Sequence, residues 1–306
     1  MKTDETKEDV MTSRSGAPVV VAVDGSTSAL EAVRVAAREA GTRGRPLRVV
    51  HAFIWPLYDV SLAPAPGAPP HAGLRQQAEQ VVAEAVTEAG KVTPDVAVTG
   101  AVVDGAATPV LLAEARDAAL LVLGSRGLGG FGGLLMGSVA VQVSAHADCP
   151  VLVVKGEARA DGPVLVGVDG SPRSDQALGF AFDEASLRGT ELLAVHAWIM
   201  PVPPSDLLPV AYDVEALAAE EERVLAEALA GWCERYPDVP VRRRVTYGGP
   251  AKVLVEESAA AQLTVVGARG RGALAGMLLG SVSHAVLHHA HSPVVVVRRR
   301  REGRQS

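Results

Sequence analysis

The chain has 306 residues, 48% of them apolar and 21% charged, and a formal net charge of −6. That length suits two domains of roughly 150 residues, and that composition a soluble globular protein. Aromatic residues are only 4%, too few for the stacking platforms that hold single-stranded bases, and the acidic balance disfavours a general nucleic-acid binder.

Residues 1–17 ("MKTDETKEDVMTSRSGA") are polar and mixed in charge, without the apolar core of a secretory signal. No apolar run approaches the ~18 residues of a membrane helix. The expectation is a cytoplasmic protein with no membrane partner and no nucleic-acid partner. Cys149 and Cys233 stand in non-equivalent places with no paired metal-ligand spacing, so neither a disulfide framework nor a zinc site is encoded.

From residue 19 onward, short Val/Leu/Ala runs alternate with helical patterns. "VVVAV" (19–23), "LRVVHA" (47–52), "VAVTGAVV" (96–103), "LLVL" (120–123) and "VLVV" (151–154) predict five strands. The runs are continuous rather than alternating, as parallel strands covered on both faces require. Ser28-x-x-Glu31 predicts a capping box for the first helix and Gly41 its stop, while Thr108-Pro109 predicts the start of another. A proline-rich loop (55–70) follows the second strand and is too long for a tight connection.

The chain then repeats itself. "VVVAVDGSTSA" (19–29) returns as "VLVGVDGSPRS" (164–174), and "LRVVHAFIWP" (47–56) as "LLAVHAWIMP" (192–201), both at an offset of 145. "GSRGLGGFGGLLMGS" (124–138) returns as "GARGRGALAGMLLGS" (267–281), and "CPVLVVK" as "SPVVVVR", both at an offset of 143. Ser171-Pro172 and Gly189 predict the start and stop of the second copy's first helix, and a second proline-rich loop covers 198–209. Two α/β domains are expected, at 16–156 and 162–300, joined by the Gly-, Pro- and charge-bearing segment "KGEARADGP".

Two features in each copy point to chemistry. One is the glycine stretch after the fourth strand; seven of the fifteen residues from 124 to 138 are glycine. The other is an aspartate after the first strand, Asp24 and Asp169. In open α/β sheets, ligands bind beyond the carboxyl ends of the strands where strand order reverses. If strands one and four are neighbours, an acidic side chain faces bare backbone across one crevice. N–H groups there can receive phosphates, and a carboxylate can accept from a ribose hydroxyl. The bland alternative is that Asp24 caps a helix and the glycines permit tight turns. The loop is not a G-x-x-x-x-G-K-[ST] loop and holds no lysine, and a dinucleotide fingerprint would follow strand one.

The spacing is Gly124-x2-Gly127-x9-Gly137-Ser138, repeated as Gly267-x2-Gly270-x9-Gly280-Ser281. With the aspartates, it resembles a tandem universal stress protein of the ATP-binding type over both domains. The resemblance implies doubly wound, Rossmann-like five-stranded parallel sheets of order 3-2-1-4-5, with strands one and four adjacent. It further implies that Asp24 and Asp169 hold the ribose and adenine edge, and that the backbone at Ala52 and Ala197 walls the adenine. Gly124, Gly127, Gly137 and Ser138 would surround the phosphates in one half, and Gly267, Gly270, Gly280 and Ser281 in the other. Arg126 and Arg269 could balance phosphate charge or point outward to the partner half. Ser283 supplies a second hydroxyl that Ala140 lacks, which puts equal affinity of the two sites in doubt. The implied cofactor is ATP, with Mg2+ left open.

Other residues have plainer explanations. His284, His288, His289 and His291 contain no carboxylate in their cluster and sit where a helix C-terminus favours histidine. His51 and His196 end the second strands with no nucleophile paired to them, so structural hydrogen bonds are expected. "VRRRV" (241–245) falls on strand three, an edge where charge blocks unwanted pairing. The basic residues from Arg298 onward read as a solvated end.

The function expected is a regulatory, stress-response ATP-binding protein occupied at one or both sites. The alternative is a slow ATP hydrolase or phosphoryl-transfer enzyme, for which no general base is assignable in the glycine loops. No residue is given a catalytic role. The two strand-five segments, "PVLVV" and "PVVVV", are apolar edges without gatekeeping charges, and the resemblance implies that they pair as an intramolecular pseudo-dimer. A nine-residue linker reaches about 30 Å, enough to allow it. Pairing of whole chains as a homodimer is left open.

Overall fold

The computed structural model describes residues 16–54, 72–127, 136–172, 174–200, 213–270 and 279–298. Both proline-rich loops fall wholly or mostly outside them, as do the middles of both glycine stretches and the two chain ends. The chain divides into two compact units, the first reaching Val154 and the second running from Lys155, with Ser144–His146 grouped with the second.

In the first unit the elements are β1 (Val19–Ala22), α1 (Thr27–Thr42), β2 (Leu47–Phe53), α2 (Ala72–Val92), β3 (Val98–Asp104), α3 (Ala107–Glu114), β4 (Leu120–Gly124), α4 (Ser138–His146) and β5 (Val151–Val154). All strand pairings in this unit are parallel and the order is β3-β2-β1-β4-β5. Val21 pairs with Val49 on one side and Val122 on the other. Strands one and four are therefore neighbours, as the crevice requires.

The second unit repeats the plan with β6 (Val164–Gly167), α5 (Asp175–Arg188), β7 (Leu192–Trp198), α6 (Val214–Arg235), β8 (Val241–Tyr247), α7 (Pro250–Glu257), a 3-10 turn (Ser258–Ala260), β9 (Leu263–Gly267), α8 (Ser281–His289) and β10 (Val294–Val297). Its order is β8-β7-β6-β9-β10, again parallel. Each unit is a doubly wound α/β domain.

The strands' positions follow from their side chains. Val19–Val21 and Leu120–Leu123 are buried without interruption, and so are Val164–Val166 and Leu263–Val266. Only a strand flanked on both edges and covered on both faces tolerates such a run. β8 instead carries Arg242 and Arg244, which pair with Glu191 at 2.8 Å and Glu257 at 2.7 Å. It occupies the outer position that its charges suit.

The helix boundaries differ from those expected. α1 is capped by Ser26, whose hydroxyl accepts from Ala29 N at 3.1 Å, rather than by Ser28. Its terminator is Gly44, at φ +59°, where a left-handed residue closes the turn. Gly41 lies inside the helix, where a Cβ would come within 2.7 Å of Thr93 Cγ2. α3 begins at Ala107 with Ala106 as N-cap, so Pro109 is its third residue, and the Thr108 hydroxyl turns to Gln142 at 3.3 Å. α5 begins one turn later than Ser171-Pro172, with Ser174 bonded back to the Ser171 carbonyl through both its N–H and its hydroxyl. Gly189, at φ +59°, does end α5.

Candidate functional site

The carboxyl ends of β6, β7 and β9 and the start of α8 enclose a cavity of about 610 Å3, within the range of small-molecule sites. Asp169 lies one residue beyond the Val168 N–H that extends the β6–β7 ladder to Val195 O. Its Oδ1 accepts from Ser171 N at 2.9 Å, which fixes the carboxylate at the mouth of the strand. Across the crevice, β9 ends at Gly267 and the chain passes through Arg269 and Gly270. A Cβ on Gly270 would collide with Asp169 Oδ2. The glycine is there because the carboxylate takes the space.

The glycine stretch closes on itself where it re-enters the described residues. Gly280 N donates to Ala268 O at 2.8 Å, bringing the start of α8 back beside the end of β9. α8 has Gly280 as N-cap with no side-chain cap. Its first intrahelical bond runs from His284 N to Gly280 O, leaving the N–H groups of Ser281, Val282 and Ser283 without helical acceptors. All three residues line the cavity. A helix N-terminus with open N–H groups and a favourable dipole is suited to an anion.

Ser283 is buried, and its hydroxyl donates to Gly267 O at 2.5 Å, tying the first turn of α8 to β9. The opposite side of the cavity is β7, where Ala197, Trp198 and Ile199 join Leu254 and Pro250 from α7 to form apolar walls. Arg269 also lines the cavity. The eight second-half residues singled out from the sequence all do so: Asp169, Ala197, Gly267, Arg269, Gly270, Gly280, Ser281 and Ser283.

The first unit builds the same relationships. Asp24 Oδ1 accepts from Ser26 N at 3.0 Å, and a Cβ on Gly127 would collide with Asp24 Oδ2. Gly124 faces Ser28 so closely that a Cβ would lie 2.7 Å from its hydroxyl. Gly137 N donates to Ser125 O at 2.9 Å, and Ser138 opens α4 with no side-chain cap. Arg126 meets Ser26 and Ser28 only through its backbone, its carbonyl and N–H each at 3.5 Å from a hydroxyl. Ala52 pairs with Val103 on β3. Neither aspartate is a helix N-cap; each closes the turn that precedes its helix.

His51 and His196 hold the ends of their strands. Their Nδ1 atoms lie 2.8 Å from Val23 O and 2.7 Å from Val168 O. A carbonyl can only accept, so each Nδ1 carries the proton. His196 has a second partner that sequence reasoning missed, Glu221 Oε2 on α6, at 2.7 Å from Nε2. No duplicated signal marked it: at the offset of 143 that aligns Pro94-Asp95 with Pro237-Asp238, its counterpart is Ala78. Among the described residues no group of three or more His, Cys, Asp or Glu is arranged to hold a metal, and no helix is long and apolar enough to cross a membrane.

Two doubly wound α/β domains, each with an aspartate beside a glycine at the carboxyl end of its sheet, define the class of open α/β folds with a crevice at the point where strand order reverses. The family profile described as "Universal stress protein family" matches residues 17–155 and again 162–298. A universal stress protein of Mycobacterium bovis is 45% identical over 293 residues, covering 92% of this chain and 96% of its own length. One of Mycobacterium tuberculosis is 43% identical over 291 residues, covering 92% and 96%. Among solved structures, a universal stress protein from Archaeoglobus fulgidus matches with a TM-score of 0.69 at 20% identity, covering 93% of this chain and 99% of that one. The chain belongs to the universal stress protein family, with two domains of that family in tandem.

Proposed function

We propose that the protein is a regulatory ATP-binding protein of the stress response, loaded at one or both domains. The observation that carries this reading is the second-unit cavity. Residues taken from the motif spacing and the family resemblance, and distant in sequence, line one space of suitable volume. In this reading the open N–H groups of Ser281–Ser283 receive the phosphates, Arg269 offsets their charge, and Asp169 accepts from the ribose. The apolar walls at Ala197, Trp198 and Leu254 then take the base. Mg2+ would arrive on the triphosphate and be held through it. Neither glycine stretch carries a side chain suited to act as general base toward a γ-phosphate, so the proposed role is occupancy rather than turnover.

Mass spectrometry of nucleotide released from freshly purified protein, with calorimetric titration of ATP, tests this. Retained ATP, or saturable binding of added ATP, is expected. ADP alone would favour the hydrolase. No nucleotide retained and no heat on adding ATP would overturn the proposal.

A further inference from the structure

Glu221 sits within the cavity, and its only side-chain partner among the described residues is His196. His196 is buried and donates through Nδ1 to Val168 O, so the 2.7 Å contact between Nε2 and Glu221 Oε2 must itself contain a proton. With that proton the pair carries no net charge, and a triphosphate in the same cavity meets no unbalanced carboxylate. The bond also fixes which oxygen is left over. Oε2 is spent on His196, while Oε1 remains an oriented acceptor on a side chain that keeps 23% exposure.

The position of this acceptor follows from the sheet. β7 stands two strands from β9 in the order β8-β7-β6-β9-β10, about 10 Å at the usual strand spacing. If phosphates occupy the start of α8 and the ribose meets Asp169 on the intervening strand, β7 receives the base. The first unit has the same histidine but Ala78 at the position of Glu221.

We infer that Glu221, oriented by His196, is a specificity-determining residue of the second site: its Oε1 accepts an N–H from the base and selects an amino-bearing purine. This rests on the nucleotide reading above. The first site, lacking the carboxylate, reads the base without that contact.

The experiment compares ATP with purine riboside triphosphate, which lacks the exocyclic amine, on the full chain. The first site is silenced by Gly127→Val, which drives a side chain into Asp24. Calorimetric affinity should favour ATP by about tenfold or more, the range for a hydrogen bond to a charged group. Glu221→Ala should bring the ratio close to one. Glu221→Gln should restore part of it, because an amide N–H can donate to a neutral His196 Nε2 and leave its oxygen facing the base. A residue that merely props α6 against β7 would change both affinities alike and leave their ratio untouched. A ratio near one in the chain with Glu221 intact, or an undiminished ratio in Glu221→Ala, overturns the inference even though ATP binds. Failure of both nucleotides to bind overturns the nucleotide reading itself, and the inference with it.

Discussion

Asp169 and Gly270 are placed so that the carboxylate of one occupies the space a side chain would need on the other. Asp24 and Gly127 repeat the arrangement. Gly270→Ala should therefore displace Asp169 rather than disturb the sheet. Overpacking of this kind costs about 1–3 kcal/mol of stability, and a displaced Asp169 loses its proposed contact with ligand, a charged hydrogen bond whose loss weakens binding by about ten- to 150-fold. Titration with ATP should show the second site weakened by that factor, with thermal unfolding shifted by no more than the packing cost. Unaltered affinity would mean that the aspartate and glycine meet without serving a ligand.

Replacing both aspartates separates a structural role from a binding one. Each Oδ1 closes a turn by accepting from a serine N–H two residues on, at 3.0 and 2.9 Å. Asp24→Ala with Asp169→Ala should abolish ATP binding and lower stability, by about 1 kcal/mol for each lost turn bond. Asp24→Asn with Asp169→Asn keeps an acceptor for the turn and removes the charge. Its melting temperature should stay near that of the parent chain. If the Ala pair binds ATP as the parent does, the assignment fails.

Ser283 has Ala140 as its counterpart in the first unit, and the difference predicts two sites of unequal affinity. The Ser283 hydroxyl spends its proton on Gly267 O, joining the first turn of α8 to the end of β9. Such a bond contributes about 0.5–1.5 kcal/mol and keeps the open N–H groups aligned before ligand arrives. The second site should bind ATP more tightly, and Ser283→Ala should bring its affinity toward that of the first. Two identical binding isotherms in the parent chain would refute the ranking.

How far the sequence could be read depended on which interactions were local. Apolar runs such as Val19–Val21 marked the central strands because burial on both faces leaves no polar positions. Helix starts were less legible. Ser26 and Ser28 are both good caps by composition, and the turn that Asp24 closes onto Ser26 N precedes the one that is used. Gly41 and Gly44 pose the same ambiguity: Gly44 takes the left-handed turn, while Gly41 is packed against Thr93, just past the end of α2. The glycines and aspartates at the strand ends were legible because they recur at matched positions in both halves and fit a family's pattern. Glu221 was not, since it reaches His196 from a helix 25 residues away and its counterpart is an alanine. Leu254 and Pro250 likewise reach the cavity from α7, whose apolar residues read as ordinary core.

Lys155 gives the second unit a signature in its pH dependence. Its ammonium donates to Leu287 O and His288 O at the end of α8, at 3.0 and 2.8 Å. Burial nevertheless pushes it down to about 8 from its ordinary 10.5. Between those values the folded chain holds fewer protons than the unfolded chain, so unfolding takes up protons and stability rises with pH. The contribution is complete above about 10.5 and is lost as pH falls through about 8. Two other groups bracket the useful window. Burial, with the neighbouring charges of His284, His289 and Lys155, holds His288 below its ordinary 6.5, so its effect appears only in acid. Burial and the bond to Asp183 push Tyr236 up to about 12 from 10, so it opposes the trend only above pH 10. Urea unfolding between pH 8 and 9.5 should therefore show stability rising with pH in the parent chain. Lys155→Met loses two hydrogen bonds, which shifts stability by a constant amount across that range, but it also removes the titrating group. The upward slope should be reduced in the variant. Parallel curves for the two proteins would show that Lys155 titrates normally and that the carbonyls at the end of α8 outweigh its burial.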